Sequence, residues 1–351
     1  MAVVNSVASQ HNTFIPNTDA TNNMVVDFSR NVADFALPRY IQYVPVTKTK
    51  GKYIRMTVEQ AGRITGSTSL EELSWPDGAD SPRGNDGKEK FGFQDYTTAR
   101  YQSPYSLGEL GVEQAEWDIL AQHSRIHAQR MMTARTMAVH ALLATSGNWD
   151  SSHYSATPEA ITGVTGRLDL STTNRRDIKR TFDYMFDQIR KDTLGGVKKN
   201  QIHIVVSPEF AKKITVCQEI VDYIKQSPAS LSELKDGLHP NNLFGLPEQL
   251  YGYSIEVEDS VKVTSHKGVT AVKGNVWGDG DVVMLSRPGA LEGTEGGPTF
   301  STATLFLKED LTVESKHDRD ERAHKGRVVD DWSATLTAPV SGFYLASALS
   351  T

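Results

Sequence analysis

The sequence predicts an α+β fold in which an extended N-terminal arm and a long β-hairpin precede a spine helix, a small α/β domain and a set of returning strands. Three observations predict it. The first thirty residues carry only three charges, Asp19, Asp27 and Arg30, and show no helical or strand period before about Met24. The stretch from Val112 to Thr145 holds neither proline nor glycine. Between about residues 155 and 265, helical and alternating patterns follow one another, as expected of a small α/β unit.

Size and composition bound the rest. A chain of 351 residues, 38% hydrophobic and 23% charged, can build a packed core of one or two domains. The net charge of −6, from 43 acidic and 37 basic residues, gives nothing that argues for a dedicated nucleic-acid binder, which usually shows a clear basic excess. A single cysteine, Cys217, allows no intramolecular disulfide and fits a reducing compartment. The N-terminus has no basic leader and no apolar run of about 18 residues occurs, so neither a signal peptide nor a membrane span is expected.

Taken in order, the polar segment 1–46 reads as an arm that gains little from its own packing. "GKYIRMTVEQ" (51–60) and "KFGFQDYTTARYQ" (90–102) alternate as strands. The connection between them ends in "SWPDGADSPRGNDGKEK". From Glu71 to Asp95 there are seven acidic and three basic residues. Residues 47–105 therefore read as a projecting two-stranded hairpin. Such a hairpin is marginal alone and is expected to rest on another subunit.

From Val112 to Thr145 good helix formers dominate, predicting one helix of roughly 45–50 Å at about 1.5 Å per residue. Its expected apolar side is Ile119, Leu120, Met131, Ala134, Ala138, Ala141 and Leu142, and Gly147 stops it. In "NRRDIKRTFDYMFDQIRKDTLGG", Ile178, Phe182, Met185 and Ile189 fall at steps of four, three and four, an amphipathic helix. "QIHIVVSPEF" predicts a strand, then Ser207 as N-cap with Pro208 at the first helical position and a helix to about Lys225. "YGYSIEVEDS" alternates as a strand. "WGDGDVVMLSRPG", "TFSTATLFLKEDLTVES", "GRVVDDWSATLTAPV" and "GFYLASA" are strand-like and separated by turn residues.

This order resembles the major capsid protein of tailed double-stranded-DNA bacteriophages, the Hong Kong phage type of fold. "LFLKEDLTVESKHDRDERAHKGRVVDDWSATLTAPVSGFYLAS" is similar to that family's ending. "NLFGLPEQLYGYSIEVEDS" is similar to its small loop, glycine and alternating strand. The resemblance implies an N-terminal arm (1–46), an extended loop (47–105), a peripheral-domain spine helix (106–150) and an axial domain (151–265). Peripheral return strands (266–336) and a C-terminal strand returning to the axial domain (337–351) would follow.

It also implies a non-enzymatic shell protein. Copies would form pentamers and hexamers closing into an icosahedral head around DNA, assembled in the host cytoplasm and carried in the virion. The implied partners are further copies of itself, a portal protein, a separate scaffolding protein and decoration or cement proteins, with no membrane. Some family members crosslink a loop lysine to an asparagine. Lys48, Lys50, Lys52, Lys88 and Lys90 lie in or near the loop, and none of them is assigned that role. Physical reasoning agrees with the resemblance. Symmetry and multivalency multiply modest contacts, arms and hairpins can add strands to a neighbour, and a near-neutral to acidic wall does not trap DNA. An encapsulin-like compartment of the same fold is the alternative, and a metal-dependent hydrolase a more distant one.

The chemical motifs point away from catalysis. His123 and His127 stand four apart as in helical zinc sites, yet Ser124 occupies the place of the metalloprotease glutamate and no third ligand is evident. His317, Asp318, Asp320, Glu321 and His324 crowd one segment. From Lys308 to Asp331, however, eight acidic and six basic residues nearly balance, as in a solvated turn or an intersubunit salt-bridge strip. Asp279 and Asp281 supply too few oxygens for calcium, and Val282–Leu285 after them reads as a buried strand. "LEGTEGG" precedes a proline and a strand, so it is no phosphate cradle. Cys217 reads as an ordinary half-buried thiol. No catalytic, cofactor-binding or metal residue is assigned, and no cofactor is expected.

Overall fold

The apolar run Val282–Leu285 forms a strand buried on both faces, and the molecule is arranged around it. The structure, a computed structural model, describes residues 29–55, 92–115, 117–226, 245–266, 268–287 and 301–350. A helical turn α1 (Leu37–Tyr40) leads to β1 (Gln42–Pro45). β2 (Lys50–Arg55) and β3 (Gly92–Thr97) pair as an antiparallel ribbon, and β4 (Ala99–Gly108) follows. α2 (Glu109–Glu113) precedes the spine helix α3 (Ile119–Ala144). Then come β5 (Tyr154–Ser155), α4 (Asp177–Asp192), β6 (Ile202–Val206), α5 (Pro208–Thr215) and α6 (Gln218–Gln226). β7 (Gln249–Leu250), β8 (Tyr253–Val257), β9 (Val261–Val263), β10 (Lys273–Asn275) and β11 (Val282–Ser286) lead to the long strands β12 (Ala303–Asp318) and β13 (Ala323–Leu336), and then to β14 (Phe343–Leu345).

Two larger sheets result. One has the order β1-β12-β13-β4, the other β5-β14-β11-β6-β8-β7. In the six-stranded sheet, β11 lies between β14 and β6 with all five residues buried. Its side chains alternate between two cores, as strand geometry requires. Val282 and Met284 join Ile202, Ile204, Val206, Phe343 and Leu345 against Ile178, Phe182, Met185 and Ile189 of α4 and Phe210 and Ile214 of α5. Val283 and Leu285 join Val205 and Tyr344 against Leu37, Tyr40 and Ile41, Val139 and Leu143 of the spine, and Leu305 and Trp332. Each fully buried aliphatic side chain stabilises the fold by about 1.5–3 kcal/mol relative to exposure.

Several expected boundaries move. Phe35, Ala36, Leu37, Tyr40 and Ile41 are at most 4% exposed, so the expected arm 1–46 ends inside the core; short apolar residues around Pro38 gave no clear period. The expected hairpin 47–105 ends at Thr97, because β4 pairs with β13 from Ala99↔Trp332 onward. The single helix expected from Val112 breaks. The Asp118 carboxylate accepts the Ala121 amide at 2.9 Å and starts the spine there, leaving 26 residues and about 39 Å. The expected helix from Pro208 to Lys225 divides at Val216–Cys217. The six-stranded sheet is not complete at 266: after the separate β9–β10 ribbon the chain returns to it as β11, and the four-stranded sheet is re-entered only at Ala303. Val282–Leu285 is apolar at every position because two cores receive it.

The spine packs on a face rotated from the expected one. Met131, Met132, Arg135, Thr136, Val139 and Leu143 are buried, whereas Ala134 and Ala141 are exposed. A buried arginine interrupts the apolar stripe. Arg135, 1% exposed, donates from Nε and Nη2 to Asp330 at 2.6 and 2.5 Å and from Nη2 to Asp310 at 2.8 Å. Its guanidinium also lies 5.8 Å from the centre of the Tyr43 ring. Burial opposes the charge, but the bonds to Asp330 overcome it and hold the Arg135 pKa above its ordinary value. The pair ties the spine to β13 and, through Asp310, to β12.

Arg135→Met is expected to cost about 3–5 kcal/mol in denaturant unfolding, because it strands a buried carboxylate. Arg135→Met with Asp330→Leu should recover most of that loss. Equal losses in both variants would mean that packing, and not the pair, dominates this site.

Candidate assembly surfaces

The features that project or lie unpaired are candidates for contact with other chains, beginning with the β2–β3 ribbon. Its register runs from Lys50↔Thr97 to Arg55↔Gly92. Gly51 faces Tyr96, whose phenol fills the space a Cβ would need, with ring atoms Cζ and Cε1 2.5 and 2.7 Å from that position. The Tyr96 ring then stacks on Phe306 of β12 at 4.3 Å, and Tyr53 packs on the same ring at 5.7 Å. Lys308 Nζ bonds Thr49 Oγ1 at 2.8 Å, and the Thr98 amide bonds the Thr49 carbonyl at 2.8 Å. The root of the ribbon is thus fastened to the four-stranded sheet, while Phe93 further out is 60% exposed. Lys52 pairs with Asp95 at 3.8 Å in solvent, an interaction of little energetic weight. The acidic tip and Lys88 and Lys90 lie outside the described residues.

A second surface is the distal half of β12. β1 pairs with it only over Thr304–Leu307. From Thr312 to His317 every residue is exposed, and among the described residues this stretch pairs only with β13. The charges expected here as an acid/base or intersubunit cluster mostly pair within the chain. Arg327 meets Glu314 at 2.5 Å, and Lys325 meets Asp318 at 2.9 Å and Glu321 at 2.6 Å. His317 and His324 face each other across the hairpin at 4.8 Å, with Glu109 3.4 Å from His317. A charged edge of this kind resists indiscriminate strand pairing while remaining open to a matched partner.

The other sequence candidates serve structural ends. His127 Nδ1 is 2.7 Å from Ser103 Oγ, and the Tyr105 ring of β4 lies 5.0 Å from His127 and 6.1 Å from His123. Burial first, then Arg130 and His123, lower the His127 pKa. Cys217 is 4% exposed, and burial pushes its thiol upward, away from a reactive thiolate. Asp279 and Asp281 form a lock. Asp281 Oδ2 is 3.0 Å from His140 Nε2 of the spine, Ser207 Oγ donates to the Asp279 carbonyl at 2.7 Å, and the Ala348 amide donates to the Gly280 carbonyl at 2.7 Å. Gly280 admits the C-terminal segment closely: a Cβ there would lie 3.1 Å from Ser347 Cα. Among the described residues no three or more His, Cys, Asp or Glu side chains are grouped to hold a metal ion.

The segment where the described chain begins is held by a polar clamp that the sequence did not reveal. Arg30 Nη1 pairs with Asp259 at 2.6 Å, Arg39 with Glu256 at 3.4 Å, and the Arg30 amide donates to Gln129 of the spine at 3.0 Å. Between them Glu258, fully buried, accepts from Tyr40 OH at 2.8 Å and from Ser260 Oγ at 2.5 Å. Burial holds the Glu258 carboxyl above its usual range. The three carboxylates in "IEVEDS" were the available signal, but their partners stand more than two hundred positions earlier in the chain.

No family model and no curated protein matches this sequence. Solved structures do match its fold. A phage-related protein from Bordetella bronchiseptica RB50 is 15% identical, with 91% of this chain and 93% of that one covered at a TM-score of 0.58. The capsid of cyanophage P-SCSP1u is 10% identical, covering 95% and 93% at 0.54. The mature capsid of bacteriophage PhiM1 is 14% identical, covering 95% and 90% at 0.50. The chain has the tailed-phage capsid fold.

Two outcomes are expected. Gly51→Val should push Tyr96 off Phe306 and speed hydrogen exchange at the Gly92–Thr97 amides about tenfold or more while β6 and β11 stay protected. Unchanged exchange would mean that the ribbon is not held by this stack. For Glu258 the folded pKa lies above the unfolded one. Its contribution is therefore present below the ordinary carboxyl range and lost as pH rises through the folded value. Glu258→Gln should gain melting temperature relative to the parent between about pH 5 and pH 8. A constant difference across that range would contradict the assignment.

Proposed function

We propose that the chain is a major capsid protein whose copies form pentamers and hexamers in an icosahedral shell around double-stranded DNA. The observation that carries this reading is the fold of the cyanophage P-SCSP1u capsid, matched across more than nine-tenths of each chain. The surfaces support it. A fastened ribbon with an exposed Phe93, a long strand whose outer edge is unpaired from Thr312 among the described residues and a root clamp at residues 30–40 are the parts such a subunit would offer to neighbours. A β-edge pairs through backbone hydrogen bonds, which tolerate the small angular differences between fivefold and sixfold settings. Many modest contacts then close a shell cooperatively. A net charge of −6 keeps the wall from gripping phosphate.

In this reading the protein has no catalytic role and belongs to the virion. It meets a portal at one vertex and assembles on a separate scaffolding protein, with decoration proteins as outer partners. Negative-stain microscopy of the protein, alone or co-expressed with its scaffold, should reveal rings, capsomers or closed shells. A strict monomer under every assembly condition would sink the proposal. Nuclease-protected DNA in the particles fits a phage head, whereas a packaged enzyme would fit the encapsulin-like alternative.

Residues 1–25, read from the sequence as an arm, lie outside the described residues. With them deleted, the subunit should keep its circular dichroism and melting temperature but form fewer or weaker shells. Early melting would show that the arm belongs to the fold.

A further inference from the structure

We infer that the β9–β10 hairpin is a docking element for a second copy of this chain. The inference rests on the shell reading for its purpose, and on the hairpin's own chemistry for its partner. The hairpin is a three-pair antiparallel ribbon, Val261↔Asn275 to Val263↔Lys273. Its base is rigid. The Val276 amide bonds the Ser260 carbonyl at 2.8 Å, Ser260 is held by the buried Glu258, and Asp259 by Arg30. Beyond that base the apolar side chains turn outward. Val261, Val263, Val269 and Val272 are 53%, 59%, 69% and 59% exposed. Val261 and Val263 share one face, since side chains alternate along a strand. A two-stranded ribbon with valines in water is unstable unless something covers it.

Charge selects the partner. Residues 260–276 contain Lys262, Lys267 and Lys273 and no carboxylate, on a chain whose net charge is −6. A second copy therefore presents a net acidic surface to this basic hairpin, and the steering attraction acts between identical subunits. The valine face argues against a nucleic-acid backbone as occupant, because phosphate recognition uses cations and polar donors, not exposed aliphatic surface. The contact is head-to-tail: the hairpin meets a different part of its neighbour, the geometry that closes rings.

The test uses the full chain in three forms: parent, Val261→Ser with Val263→Ser, and Lys262→Glu with Lys273→Glu. Sedimentation velocity over a concentration series reads self-association, microscopy reads shells, and circular dichroism with thermal melting reads folding. Both variants should fold like the parent and self-associate at least about tenfold more weakly, a typical loss for central interface residues. The charge-reversed form should lose the salt sensitivity of association. Variants that associate like the parent overturn the inference, as does a parent that stays monomeric at every concentration. So does a charge-reversed form whose only defect is weaker binding of double-stranded DNA. A parent that self-associates through the hairpin but never forms rings or shells supports the docking element and sinks the shell reading alone.

Discussion

Both faces of the six-stranded sheet must be kept from water, and the rest of the architecture answers to that demand. Val282 and Met284 require one core, Val283 and Leu285 another. One side is closed by helices α4, α5 and α6. The other is closed by elements far apart in sequence: the segment around Leu37–Ile41, the last turns of the spine and the root of the β12–β13 hairpin. A single central strand thus forces early, middle and late segments of the described chain to meet.

Where elements from distant parts of the chain meet, buried polar groups fix their relative positions. Arg135 with Asp330 sets the spine against the long hairpin. Glu219 accepts from the Ile178 and Lys179 amides at the start of α4 and from Tyr251 OH at 2.7 Å, so a carboxylate from α6 caps a different helix. Asp281 with His140 joins the sheet to the spine. Apolar contact alone allows sliding, whereas directional bonds in a dry setting admit one arrangement. In the proposed shell, a rigid body with a defined spine angle is what a subunit needs if identical copies are to tile a curved wall.

Rigid core and projecting parts divide the work. The ribbon root, the outer half of β12 and the β9–β10 hairpin all extend from well-packed bases into solvent. Each base is tied by specific contacts, such as Tyr96 on Phe306 or Val276 to Ser260. The direction of each projection is therefore set by the core.

Periodicity and punctuation were enough to read the α4 stripe, the Ser207 cap, the alternating β8, the buried β11 and the paired strands of the ribbon. Those features depend on neighbours in sequence, and a local pattern records them. The spine face was misread because alanine fits either side of a helix and because Arg135 looks solvent-facing until Asp330, 195 positions later, neutralises it. The arm and hairpin boundaries, the membership of β11, the Glu258 clamp and the outward valines of β9 depend on which distant segments come to lie alongside. By itself the sequence determined the elements, their order and the class of fold. Tertiary structure decided which faces are buried, because burial depends on partners distant in the chain that no local pattern names.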